Sequence, residues 1–191
     1  MKKEPIRCSW AGMDPVYLDY HDNEWGMPVH DDKKLFEMLI LEGFQAGLSW
    51  ITILKRRGNF RKAFDNWDWV KISKYTPKDI KRLMADKTII RNRLKIKSAI
   101  NNAKRFIEVL GEFGTFSDYM WRFTNGKTVL PKRPYKTWKD IPARTPLSDA
   151  MSADLKKRGF TFVGPVICYS HMQAVGMVND HVQGCFRCPK R

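Results

Sequence analysis

The stretch Asp31-Asp32-Lys33-Lys34-Leu35-Phe36-Glu37-Met38-Leu39-Ile40-Leu41-Glu42-Gly43-Phe44-Gln45-Ala46-Gly47-Leu48-Ser49-Trp50 governs how this chain is read. Two acids open it, and a helix N-terminus favours negative charge. Leu35, Phe36, Leu39 and Ile40 then follow at the spacing of one helical face, which predicts an amphipathic helix stopping near Gly43. Glu42 lies at i+7 from Leu35 and i+3 from Leu39, so it shares the face turned to the interior, at the C-terminal end of the stripe. A carboxylate there is desolvated and opposed by the helix dipole. Such a group has a partner or a task; the plainer alternative is a side chain that snorkels or pairs with an arginine. Gly43 and Gly47 permit a tight turn, so Glu42 to Trp50 is predicted as a loop presenting a carboxylate, a leucine and an indole together.

Helical spacing extends along the chain, and strict alternation is scarce. Ser49 opens a short helix carrying Trp50, Ile53 and Leu54. In Thr76-Pro77-Lys78-Asp79 a cap residue, a proline at the first helical position and an acid three residues on predict a helix through Leu83. Between Ile89 and Val109, Ile96, Ile100, Ala103, Phe106 and Ile107 keep helical period, with Arg91, Arg93, Lys95 and Lys97 near the start as a cationic cluster suited to phosphate. A short helix covers Ser117 to Phe123, Asn125-Gly126 is a turn, and Pro131 to Pro142 is irregular, basic and aromatic. Thr145-Pro146 opens a helix that Gly159 closes, and Pro165 to Gly176 carries a more apolar helix, the expected central buried one. The class is all-α. Without repeats, low-complexity tracts or Gly/Ser linkers, residues 1–191 read as one domain.

The 191 residues include 35 Lys and Arg against 20 Asp and Glu, a formal net charge of +15, and 43% are hydrophobic. A core is affordable at this size, and the excess charge suits a polyanionic partner, nucleic acid before an anionic membrane. No apolar run approaches the roughly 18 to 20 residues that span a bilayer, and Met1 to Ile6 leads into polar sequence, so a cytoplasmic protein is expected. Trp10, Tyr17, Tyr20 and Trp25 are dense and set among polar residues, as suits aromatic rings that stack on bases.

Cysteines at 8, 168, 185 and 188 are too few for a disulfide scaffold. His181-x-x-x-Cys185 and Cys185-x-x-Cys188 have ligand-like spacing, and Cys8 with His21 is the natural N-terminal complement; His30, His171 and Cys168 are further candidates. Such a site would clip the two ends of the chain together. His171, inside the apolar helix, reads as a packed histidine. No Walker loop, Gly-x-Gly-x-x-Gly, Gly-x-Ser-x-Gly or His-Glu-x-x-His occurs, which sets aside phosphoryl transfer and serine hydrolysis. The His-x-Glu and Pro-Cys-x-x-Cys of a zinc deaminase are also missing.

Asp14-Pro15-Val16-Tyr17, Tyr20-His21-Asp22-Asn23-Glu24-Trp25-Gly26, Leu35-Phe36-Glu37-Met38, Gln45-Ala46-Gly47-Leu48-Ser49-Trp50-Ile51-Thr52, Lys156-Lys157-Arg158-Gly159-Phe160 and Val178-Asn179-Asp180-His181 together resemble the DNA-3-methyladenine glycosylase I family. The resemblance runs from Cys8 to Cys185. It implies a bundle of the helix-hairpin-helix glycosylase superfamily, a repair enzyme that hydrolyses N3-methyladenine from alkylated double-stranded DNA and frees the base. No lysine has the helical burial of a Schiff-base nucleophile, so a monofunctional enzyme without lyase activity is expected, and a reader of single lesions needs no dimer, so a monomer is expected. The resemblance also implies structural zinc on Cys8, His21, His181 and Cys185, which sets Cys188 aside. By the same resemblance Glu42 is the catalytic residue. Glu42 and Tyr20 would hydrogen-bond the extruded base, Trp50 would stack on it, Tyr17, Trp10 and Trp25 would shape the pocket, and Gly47-Leu48 would wedge into the duplex; Arg91, Arg93 and Lys95 would meet DNA. Phe44 departs from the pattern at the pocket mouth, and Thr88 to Leu94 lacks the glycines of a typical DNA-binding hairpin. Composition and the Cys/His pattern alone would equally fit a non-catalytic zinc-containing DNA-binding module, and the architecture a glycosylase for another damaged base.

Overall fold

A computed structural model describes residues 4–189. Ten α-helices follow in order among them: α1 (Pro15–Asn23), α2 (Asp32–Gln45), α3 (Trp50–Leu54), α4 (Arg57–Ala63), α5 (Trp69–Ser73), α6 (Pro77–Ala85), α7 (Arg93–Phe113), α8 (Phe116–Trp121), α9 (Pro146–Lys157) and α10 (Pro165–Ala174). No strand occurs among the described residues. Val129 and Val178 form an isolated parallel bridge, with Val129 N donating to Met177 O at 2.9 Å and Asn179 N to Val129 O at 3.1 Å.

Helix starts follow local chemistry. Asp31 caps α2 by accepting from Lys34 N at 2.8 Å. Thr76 and Asp79 form a capping box on α6, and Thr145 with Ser148 does the same on α9. Asn92 Oδ1 accepts from Leu94 N and Lys95 N and so starts α7 at Arg93. The apolar period visible from Ile89 therefore begins before the helix does, because Asn92 offers the backbone a competing partner.

α2 is the centre of the molecule. Every residue from Leu35 to Phe44 is buried, so this helix is enclosed on all sides rather than amphipathic. It packs against α3, α7, α8 and α10, and its Asp32 carboxylate accepts from Phe116 N and Ser117 N, fixing the start of α8. The expectation that α10 is the central helix needs correction: Cys168, Met172 and Ala174 face the core, but Val166 is 51% exposed. Phe44, expected at a pocket mouth, is buried against Phe60 and Phe64 at centroid distances of 4.8 and 5.8 Å.

An ionic knot ties α1, α2 and α4 together. Arg57 donates to Glu37 through Nε and Nη2, both at 3.0 Å, and to both carboxylate oxygens of Glu24 through Nη1. Arg61 donates to Glu37 from the other side. Burial alone would raise the Glu37 pKa, but the two guanidinium groups outweigh it and bring the value down to about 2.

Gly176 closes the α10 turn onto the chain leaving α1. Its φ is +70°, and a Cβ there would lie 2.2 Å from Met27 C and 2.4 Å from Pro28 N, both rigid backbone atoms. Gly176→Ala is expected to destabilise the fold by about 3 kcal/mol or more, measured by denaturant titration; a loss below about 1 kcal/mol would mean that the two segments separate easily.

Candidate active site and metal centre

A cavity of about 420 Å³ opens between the N-terminal segment, α1, the end of α2, α3, α10 and residues 138–143. Trp10, Tyr17, Tyr20, Trp25, Glu42 and Trp50 all line it. The rings form a continuous wall: Trp10 lies 5.1 Å from Tyr17 and 4.9 Å from Trp25, and Tyr20 lies 5.5 Å from Trp50.

Glu42 is buried at one end of this wall, and its Oε2 has no hydrogen-bond partner among the described residues. Burial pushes its carboxyl up to about 8, so it is mostly protonated at neutral pH in the free protein. Burial, followed by the nearby Glu42 charge, holds the Tyr20 hydroxyl well above its ordinary pKa and keeps it a neutral donor. Trp50 Nε1 is likewise buried and unpartnered. Two orphaned polar atoms on residues lining one cavity are explained by a ligand that supplies their partners.

The turn beyond Glu42 differs from the expected loop. α2 continues to Gln45, because the enclosed face holds the helix past Gly43, and only Ala46 to Ser49 turn. Gly47 takes φ +78°, and the following Leu48 projects with 41% exposure. Lys95 is not grouped with the exposed Arg91 and Arg93. Its ammonium is buried and donates to Phe44 O at 2.8 Å and Ala46 O at 2.6 Å, so it caps the last carbonyls of α2 and braces the turn. Arg56 Nη1 donates to Lys87 O and Thr88 O, bracing the connection between α6 and α7.

The reading of the sequence missed one wall. Val166, Tyr169, Ser170 and Gln173 line the cavity from α10. Their i, i+3, i+4, i+7 spacing is a helical face, and polar residues at three of those four positions, in a helix apolar elsewhere except at His171, were the available signal. Trp138 and Lys139 line it from the irregular segment. His171 is fully buried, and neither ring nitrogen has a partner among the described residues; burial lowers its pKa to about 3, leaving a neutral packed ring.

Behind the aromatic wall, Cys8, His21, His181 and Cys185 bring their ligand atoms within 4.8 Å of one another, and all four are buried. Cys8 Sγ to His181 Nδ1 is 3.5 Å, Cys185 Sγ to His21 Nε2 3.5 Å, and Cys185 Sγ to His181 Nδ1 3.4 Å. A tetrahedral ion with bonds of about 2.3 Å to sulfur and about 2.0 Å to nitrogen requires S···N edges of about 3.5 Å. The outward ring nitrogens are also held. His21 Nδ1 is 2.7 Å from Asp22 Oδ1, itself bound by Arg7, and His181 Nε2 is 3.0 Å from Trp25 O. These contacts leave His21 Nε2 and His181 Nδ1 to face the centre, so the residues fit a closed metal site. The Trp25 carbonyl joins this centre to the cavity wall.

The methyladenine glycosylase family model matches residues 10–188. The chain belongs to this family. It is therefore an enzyme, a hydrolase of N-glycosyl bonds. The chain is 51% identical to the DNA-3-methyladenine glycosylase 1 of Escherichia coli (strain K12) over 94% of its own length and 95% of the relative's. With the DNA-3-methyladenine glycosylase of Haemophilus influenzae identity is 46%, over 94% and 96%. Its fold matches a crystal structure of 3-methyladenine DNA glycosylase I with a TM-score of 0.93 at 48% identity, covering 96% of this chain and 100% of that one. It also matches a variant of such an enzyme in complex with 3-methyladenine, with a TM-score of 0.91 at 36% identity over 97% and 98%.

Because the folded state holds the Glu42 proton from pH 4.5 up to about 8, its burial weakens stability progressively as pH rises through that window. Glu42→Gln is accordingly expected to stabilise the protein by roughly 1–3 kcal/mol at pH 8 and by almost nothing at pH 4. Denaturant titrations at the two pH values check this; an equal effect at both would show that Glu42 does not carry the buried charge.

Proposed function

We propose that this enzyme acts on double-stranded alkylated DNA, receives an extruded N3-methyladenine in the aromatic cavity and hydrolyses its bond to the sugar, working as a monomer without strand cleavage. The observation that carries the reading is the pair of orphaned buried atoms, Glu42 Oε2 and Trp50 Nε1, inside a wall of tryptophan and tyrosine rings. Relatives that carry the same activity in their names, and a related enzyme seen with 3-methyladenine, support the same substrate.

Methylation at N3 gives adenine a formal positive charge in DNA. The rings attract that cation, and Glu42 gives up its proton to become its counter-ion, an exchange that a neutral adenine does not drive. Damage also weakens pairing, so the lesion is cheaper to extrude than an intact base. Trp50 stacks on the base, the neutral Tyr20 hydroxyl donates to it, and Tyr17, Trp10 and Trp25 set the width of the slot. As the glycosidic bond breaks, its electron pair neutralises the departing base and the sugar takes on oxocarbenium character; water adds at that carbon and releases a proton. A cationic leaving group makes strong acid catalysis unnecessary.

Gly47 and Leu48 act as the wedge, with Leu48 replacing the extruded base in the stack. The α6–α7 pair and its connection serve as the helix-hairpin-helix unit, with Arg91 and Arg93 on phosphates. Lys95 contributes by bracing the wedge turn rather than by touching DNA. Lyase chemistry calls for an amine nucleophile in the cavity; Lys95 is committed to two carbonyls, and Lys139 sits exposed at the rim. The Cys8, His21, His181 and Cys185 centre would hold zinc in a closed, structural role.

Chromatography of bases freed from methylated duplex DNA is expected to yield 3-methyladenine, with release falling about 10- to 100-fold in Glu42→Gln. Equal release by the variant would remove Glu42 from the reaction, and release of a different base would change the substrate. Since cation binding displaces the Glu42 proton, kcat/KM should rise with pH up to about 8 and level off. In Glu42→Gln that dependence should vanish.

Cys8→Ala is expected to lose bound zinc and thermal stability together. A stable, active, zinc-free variant would overturn the structural role.

A further inference from the structure

Residues 131–144, the irregular, basic and aromatic stretch between α8 and α9, carry Lys132, Arg133, Lys136, Lys139 and Arg144 against the single acid Asp140. Asp140 is turned back on its own segment, where Oδ2 accepts from Thr137 N at 2.8 Å and from Thr137 Oγ1 at 3.0 Å. Arg144 pairs with Asp149 at 3.1 Å. Lys132, Arg133, Lys136 and Lys139 are exposed and have no ion-pair partner among the described residues.

The segment is nonetheless held in place. Pro131, Pro134 and Pro142 restrict its backbone, Gln183 N donates to Tyr135 O at 2.8 Å, and Tyr135 and Ile141 pack on the core. The capping box of Thr137 and Asp140 sets the short helical turn Trp138–Asp140, which brings Trp138 and Lys139 to the cavity. Trp138 is 49% exposed while lining the cavity, so it stands at the mouth. Lys139 stands beside it and, among the described residues, is the one cation in the lining. Gln45 and Trp50, on either side of the wedge turn, line the same cavity. The basic segment and the wedge therefore border one opening.

A base that enters the cavity while still bonded to its sugar leaves that sugar, and the phosphates on either side of it, at the opening. Those anions cannot follow the base into an aromatic slot around a buried carboxyl group. Unpaired cations on an already ordered segment meet them without breaking an existing ion pair or ordering a loose loop. Trp138 beside Lys139 supplies the combination of ring and cation that suits a locally unpaired strand.

We propose that residues 132–139 form a second DNA-binding surface, a strap that holds the backbone of the strand carrying the extruded nucleotide. Lys139 meets a phosphate next to that nucleotide, and Lys132, Arg133 and Lys136 meet phosphates further along the backbone.

The strap rests on the DNA substrate reading above, and the experiment keeps the two apart. Fluorescence anisotropy measures binding of a labelled duplex that carries a stable abasic-site analogue, over a series of salt concentrations. The proteins are the unaltered enzyme, Lys139→Gln, the fourfold strap variant Lys132→Gln/Arg133→Gln/Lys136→Gln/Lys139→Gln, and the control Lys62→Gln/Lys74→Gln/Lys104→Gln/Lys157→Gln. The control removes the same charge at exposed positions outside the cavity lining. The fourfold strap variant should bind at least about tenfold more weakly at about 0.15 M salt, and its slope of log affinity against log salt should be shallower by at least about two. Lys139→Gln should lower that slope by about one, whereas the control should lose less than about threefold in affinity. Affinity for free 3-methyladenine, followed by tryptophan fluorescence, should stay within about twofold in the strap variants, because the free base has no phosphate. Equal losses in strap and control variants, an unchanged salt slope in Lys139→Gln, or a parallel loss of free-base affinity would each overturn the strap and leave the enzyme reading intact. An unaltered enzyme that neither binds the duplex nor releases 3-methyladenine from methylated DNA would instead overturn the substrate reading.

Discussion

A carboxyl group held out of water with one oxygen unpaired is the constraint on which this structure depends. Among the described residues no hydrogen-bond partner meets Glu42 Oε2. The fold must therefore be stable enough elsewhere to tolerate it, and it achieves this by enclosing α2 on all sides with helices from both halves of the chain. The position of Glu42 in the last turns of that helix adds the unfavourable end of the dipole to the desolvation. A group so placed is held largely protonated near neutral pH, which is what the proposed exchange with a cationic base requires.

Five positions earlier on the same helix the opposite arrangement occurs. Glu37 is as deeply buried as Glu42, yet its pKa falls to about 2 while that of Glu42 rises to about 8. Two arginines make the difference. Glu37 is a structural anion, satisfied on both oxygens, whose contribution is lost only in acid. Withholding an arginine from one acid and supplying two to the other divides architecture from chemistry along a single helix. The division extends to lysine. Lys95 has the sequence context of a phosphate contact, yet it is spent on the carbonyls that end α2, so the exposed turn carrying Leu48 rests on a buried cation.

Much of this was legible in the sequence. Caps at Asp31, Thr76 and Thr145 place their helices, and the placement of Glu42 on an interior face follows from counting residues. The resemblance to known glycosylases singles out four ligands from eight candidate cysteines and histidines, and the structure brings those four side chains together. Other features depend on tertiary context. The apolar run from Met38 to Leu41 does not reveal that α2 is enclosed all round, since a single stripe would read much the same. Lys95 and Arg93 are two residues apart and chemically alike, but α7 turns one inward and the other to solvent. Tyr169, Ser170 and Gln173 share a helical face in the sequence. Which side of α10 they occupy is settled only by the arrival of residues 138–143 and Asp180.

The junction of the chain ends has a mechanical meaning. Phe186 N donates to Ile6 O, and the thiols of Cys8 and Cys185 converge on one imidazole. Tension applied outside these two cysteines would be carried across the junction itself, from one end of the chain to the other, before it loads the helices between them. The core is in this sense a closed ring, shielded from fraying at its ends. The Trp25 carbonyl on His181 makes the same junction the back support of the cavity, so slack at the ends would be felt as slack in the aromatic slot.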